Sequence, residues 1–110
     1  MKAKTIYVDE INSSTATTYY TVPPNTRTKV VLLHAQHDTG SGAKDVQIFI
    51  NDGATNNHVM HAKALSVGDD VNFGVSQTSY LMMETGFTVK AIATDTGCQM
   101  LLTVEESNYI

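Results

Sequence analysis

In Val46-Gln47-Ile48-Phe49-Ile50-Asn51-Asp52-Gly53, apolar and polar side chains alternate and then stop at an Asp-Gly corner. Val46, Ile48 and Ile50 share one face of an extended chain, while Gln47 and Asn51 share the other with Phe49 among them. A period of two places successive side chains on opposite faces, which is the geometry of a strand with one side in a core. Asp-Gly supplies the positive φ that a tight hairpin turn demands. The same grammar recurs on both sides. Residues 27–36 form the longest strand candidate, and Val30, Val31, Leu32 and Leu33 are apolar at every position. Such a run predicts a central strand covered on both faces, or one facing the core on one side and a partner on the other. Further strands are expected over 5–9, 17–22, 58–67, 71–75, 80–83, 87–93 and 99–105. Pro23-Pro24-Asn25 closes the second of them, because proline lacks the ladder N–H.

No window of about eleven residues carries apolar positions at helical spacing, so no substantial helix is expected. The fold class is therefore all-β, an antiparallel β-sandwich of about eight short strands with jelly-roll or immunoglobulin-like topology. With 110 residues the chain fits one domain. Residues 1–12 read as an N-terminal strand or arm, and residues 13–110 as a single β-sandwich domain.

The formal net charge of −4, with 7 basic residues scattered along the chain, argues against direct nucleic-acid binding, which needs clustered Lys and Arg. No apolar run approaches the ~20 residues that span a bilayer, and no signal-peptide pattern follows Lys2 and Lys4. The single cysteine, Cys98, excludes an intrachain disulfide and suits a small buried side chain. Only 16% of residues are charged, which suits a soluble protein that packs against neighbours.

No residue set reads as catalytic, cofactor-binding or metal-binding. His34 with His37 and His58 with His61 share a spacing of three, which on a strand sends the two rings to opposite faces. Surface or edge-strand positions are expected for them. Gly40-Ser41-Gly42-Ala43-Lys44 lacks the strand-to-helix setting of a phosphate loop, and Asp69-Asp70 beside Gly68 reads as a solvated turn. Cys98 has no assignable base and orienting group. The more informative residues are aromatic: Tyr7, Tyr19, Tyr20, Phe49, Tyr80 and Tyr109 are candidate interface positions, since tyrosine is enriched where proteins meet.

The segment Val22-Pro23-Pro24-Asn25-Thr26-Arg27-Thr28-Lys29-Val30-Val31-Leu32-Leu33-His34-Ala35 resembles the opening of small β-sandwich virion proteins of tailed bacteriophages, where a V-P-x-N-T turn feeds a strand ending in L-x-A. Val46 to Gly53 is similar to the next strand, Leu81 to Ala91 to a later step, and residues 99–105 to the closing strand. The resemblance implies a non-enzymatic structural part of a virion, assembled in the host cytoplasm. Capsid decoration, with the major capsid protein as partner and with homo-oligomerisation, is the leading expectation. A neck, tail or baseplate component and a carbohydrate-binding attachment module are the alternatives. The resemblance carries no catalytic residues, cofactor, nucleic acid or membrane partner.

Overall fold

The alternation becomes nine strands in the computed structural model, which describes residues 1–108. They are β1 (Lys2–Val8), β2 (Thr17–Thr21), β3 (Thr26–His37), β4 (Lys44–Asn51), β5 (Asn57–Leu65), β6 (Asp70–Asn72), β7 (Leu81–Met83), β8 (Thr88–Ala93) and β9 (Cys98–Asn108). Among the described residues there is no helix. One sheet runs β1-β9-β3, with β6 and β7 pairing to different parts of β3; the other runs β2-β8-β4-β5. All pairings are antiparallel. Of the two topologies open to the sequence, this order is the jelly roll, with the sixth position along the chain broken into the two short strands β6 and β7. The N-terminal segment pairs within the chain, from Lys2 opposite Glu106 to Val8 opposite Met100.

The apolar run of β3 has a different cause from two-sided cover. Val30 opposes Val104 and Leu32 opposes Thr103, so Val31 is an extra residue in a β-bulge. The bulge reverses the parity of the strand. Before it, Thr26, Thr28 and Val30 point inward; after it, Leu33, Ala35 and His37 do, and Val31 is buried as well. β7 pairs with Thr28–Val30 and β6 with His34–Gln36, one on each side of the bulge. A bulge adds local twist, and here the edge strand breaks rather than following both halves. Val75, in the connection between the two pieces, is buried in the core.

The interior is filled by inward residues of both sheets, among them Leu33, Met100 and Leu102 from one and Val46, Ile48 and Val89 from the other. Asn51 is also buried, its Oδ1 accepting from the Gly53 N–H at 2.7 Å and its Nδ2 donating to Asn57 at 2.6 Å. Gly53 needs to be glycine: its φ is +87°, and a Cβ there would lie 2.8 Å from the Gly86 carbonyl oxygen. Leu33 is fully buried at the join between bulge and core. Truncating Leu33→Ala is expected to cost about 2–5 kcal/mol of folding free energy. Urea unfolding should show a lower midpoint at an unchanged slope.

Candidate interaction face

The strand register decides which side chains share the outer face of the β1-β9-β3 sheet. Tyr7 opposes Leu101, and Leu101 opposes His34, making one row across three strands. Gln99 opposes Gln36 in the next row. Here Gln36 Nε2 donates to Gln99 Oε1, Gln99 Nε2 donates to Asp9 Oδ1 at 3.4 Å, and the Tyr7 hydroxyl donates to the same Asp9 oxygen at 3.2 Å. His34 Nε2 lies 3.2 Å from Asp70 Oδ2. These rows border a groove of about 170 Å³.

At the other end of the same face a smaller groove of about 90 Å³ lies among Met1, Lys29, Met82 and Glu105. Met1, Tyr80 and Met82 are exposed here by 84%, 43% and 45%, which makes this the more apolar end. Their surroundings include charges paired within the chain. Arg27 contacts both Glu84 carboxylate oxygens at 2.8 and 3.2 Å, Lys29 is 4.0 Å from Glu105, and Gln77 donates to Glu105 at 2.7 Å. The Lys29 ammonium also sits 4.3 Å from the centre of the Tyr80 ring, within cation–π range. Gln99 and Glu105 are six residues apart along β9, so the two ends are separated by about 20 Å.

The aromatic residues singled out from the sequence divide accordingly. Tyr7 and Tyr80 stand on this face, at opposite ends. Phe49 is half-buried on the outer face of the other sheet, opposite Val59, which is exposed. Tyr19 and Tyr20 turn inward. A bulge at Tyr19 shifts the β2–β8 register, so that two consecutive residues leave the outer face instead of one. The Tyr19 hydroxyl accepts from the Asn12 N–H at 2.9 Å. Tyr20 is only 6% exposed; its hydroxyl donates to Glu106 at 2.6 Å and pairs with Thr28 at 2.8 Å. Tyr20 is therefore a core residue and presents no surface to a partner. Tyr109 lies outside the described residues.

The histidines also separate. His34 is outward on β3, and His58 and His61 are exposed on the edge strand β5, where His61 lies 3.4 Å from Asp45. His37 is fully buried, contrary to the surface position expected for it. Its ring nitrogens face the carbonyls of Leu65 at 2.8 Å and Thr39 at 3.0 Å, tying the end of β5 and the loop after β3 to the end of β3. Lys44, next to the glycine-rich loop, is buried too, and its ammonium donates to the Thr96 carbonyl. Among the described residues no three His, Cys, Asp or Glu side chains are grouped to hold a metal ion. Cys98 is buried, and burial raises its thiol pKa, which keeps it from being a ready thiolate.

No protein-family model and no curated protein matches the sequence. A solved structure does match the fold: a protein from work describing Bacillus endospore appendages as a novel family of disulfide-linked pili. The TM-score is 0.54 at 14% sequence identity, over 97% of this chain and 87% of that one. At that identity the likeness concerns the fold, an all-β sandwich, and it leads to a pilus protein rather than to a phage protein.

Burial first, and the Glu106 carboxylate second, raise the pKa of Tyr20. The unfolded chain then releases this proton first, near pH 10. The stabilising contribution of Tyr20 is complete below that value and is lost as pH climbs toward the higher folded-state pKa. Thermal unfolding followed from neutral pH to pH 11.5 (roughly the upper practical limit above tyrosine's ordinary pKa) should show a steeper alkaline loss for the native chain than for Tyr20→Phe.

Proposed function

We propose that this chain is a non-catalytic structural subunit that assembles with copies of itself or with other structural proteins. The observation that carries the reading is the Met1–Tyr80–Met82 end of the outer face. Its exposed Tyr80 and Met82 side chains lie beside two charge pairs made within the chain, Arg27–Glu84 and Lys29–Glu105. A partner covering Tyr80 and Met82 removes exposed apolar surface from water while the Arg27–Glu84 and Lys29–Glu105 pairs beside them stay matched, which is the anatomy of protein interfaces. The buried Cys98 and the engaged His37 support the non-catalytic part, since neither is offered to a substrate.

The fold likeness to an endospore pilus protein supports a building-block role but carries no linkage chemistry across. A disulfide-linked string needs each subunit to bond two neighbours, and this chain has one cysteine, which is buried. Disulfide links of that kind therefore do not join copies of these 110 residues into a string. Within that role, the turn-and-strand resemblance supports a virion decoration protein docked on the major capsid protein. A neck, tail or baseplate position draws on the same resemblance.

Analytical ultracentrifugation of the purified chain tests the assembly. Association is expected within the range up to ~1 mM, where a dissociation constant of that size corresponds to about 4 kcal/mol. Met82→Glu should shift the chain to monomer while leaving its thermal midpoint within about 2 °C, as for an exposed substitution. A chain that stays monomeric throughout, or a Met82→Glu variant that associates as before, removes self-assembly through this face.

A further inference from the structure

The Tyr7 end of the outer face holds a different kind of surface from the Met82 end, and the chemistry of its lining selects a ligand. We infer that the groove between β1, β9 and β3 is a binding site for a neutral, polyhydroxylated ring, a pyranose of an uncharged glycan. This goes beyond the assembly role and does not rest on it.

Three features of the lining argue for this ligand. The first is an exposed ring. Tyr7 is 58% exposed, and beside it Leu101 is half-buried in the floor of the groove. An aromatic face and an aliphatic floor match the C–H face of a sugar, which is its only apolar surface. The second is a line of planar polar groups with unused valences. Each side-chain amide has two N–H donors and an acceptor oxygen with two lone pairs. Gln36 uses one N–H on Gln99, and Gln99 uses one N–H on Asp9. Gln99 also reaches the Tyr7 hydroxyl, which leaves the second Gln36 N–H, the Gln36 oxygen, a second Asp9 oxygen and the His34 Nδ1 to meet a ligand. The row thus offers a free donor beside several acceptors. A sugar hydroxyl both donates and accepts, and two vicinal hydroxyls match such a row in a way that a carbonyl-only or amine-only ligand does not. The interlocking of Gln36, Gln99 and Asp9 holds these groups in place before a ligand arrives, which reduces the ordering entropy of binding.

The third is charge. The acids Asp9 and Asp70 flank the groove, while among the described residues no Lys or Arg lines it. Sulfated, phosphorylated or carboxylated sugars would be repelled, so the preference is for a neutral ring. Desolvation first, and then the Asp9 carboxylate, raise the pKa of Tyr7. The volume, about 170 Å³ and open to solvent, seats one ring with the rest of a chain running over the sheet.

Two-dimensional amide NMR on the full chain tests the site. The probes are methyl α-mannoside, methyl β-galactoside, methyl β-glucoside and methyl N-acetyl-β-glucosaminide, with glucuronate and sialic acid as charged comparisons. A single-ring site is expected to bind at least one neutral glycoside at about millimolar affinity. Saturable shifts should centre on Tyr7, His34, Gln36, Gln99 and Leu101. Tyr7→Ala and Gln99→Ala should each weaken that binding at least about tenfold while preserving the rest of the spectrum, which shows that they still fold. Shifts that do not saturate with any neutral probe overturn the proposal. Shifts centred elsewhere, binding of the charged sugars alone, or undiminished binding by folded Tyr7→Ala also overturn it. None of these outcomes depends on whether the chain self-associates, which Met82→Glu reports separately.

Discussion

The pairing of β3 with β9 is the constraint around which the other strands arrange themselves. It runs from Thr26 opposite Asn108 to His37 opposite Cys98, the length of the sandwich. Its one interruption, the extra residue Val31, decides which side chains enter the core and which stay outside. A ladder of this length without a bulge would keep one parity, and Arg27, Lys29 and Val31 would share the outer face with Leu33. The bulge instead turns Leu33, Ala35 and His37 inward and His34 and Gln36 outward. It thereby supplies the core with Leu33 and the groove with two polar side chains in one step.

The same interruption explains why the neighbouring strand is in two pieces. β7 follows β3 below Val31 and β6 follows it above. Between them Phe73 still donates its N–H to the Leu33 carbonyl at 2.9 Å, and Val75 dips into the core. The outer face is consequently divided. Its β7 end gathers methionine, tyrosine and paired charges, and its β6 end gathers amides, acids and histidine. One added residue thus gives one sheet two surfaces of different chemistry.

Much of this architecture was legible in the sequence because the pattern of two survives in most strands. Val46, Ile48, Met100, Leu102 and Val104 face the core as their alternation predicts. What was illegible is local and physical. Val30 to Leu33 reads the same whether an apolar run is covered on both faces or carries a bulge, since both bury consecutive residues. Tyr19-Tyr20 has the same ambiguity. His37 and Lys44 look like surface residues because polar side chains usually are. Their partners are the carbonyls of Leu65, Thr39 and Thr96, and no side-chain pattern marks where a backbone carbonyl will lie. The groove was half legible. Tyr7 could be named, but its grouping with Gln36, Gln99 and His34 exists only once the β1-β9-β3 register is known.

The edges of the two sheets bear on how the proposed subunit would meet others. Unpaired strand edges invite pairing with another chain, and each edge here carries a feature that resists it. β1 carries Lys2 and Lys4, both exposed. β6 and β7 are three residues each, and β2 is five residues long with a bulge at Tyr19. β5 is longer, but it ends in a bulge at which Ala64 takes a φ of +56° beside Lys63, and His58 and His61 are exposed along it. Bulges, short lengths and charge all discourage continuous strand addition. The broad outer face of the β1-β9-β3 sheet instead exposes Tyr80 and Met82 at one end, beside the Arg27–Glu84 and Lys29–Glu105 pairs. Under the proposed role, this surface therefore favours contact by faces, with side chains meeting side chains, over the joining of backbones at an edge.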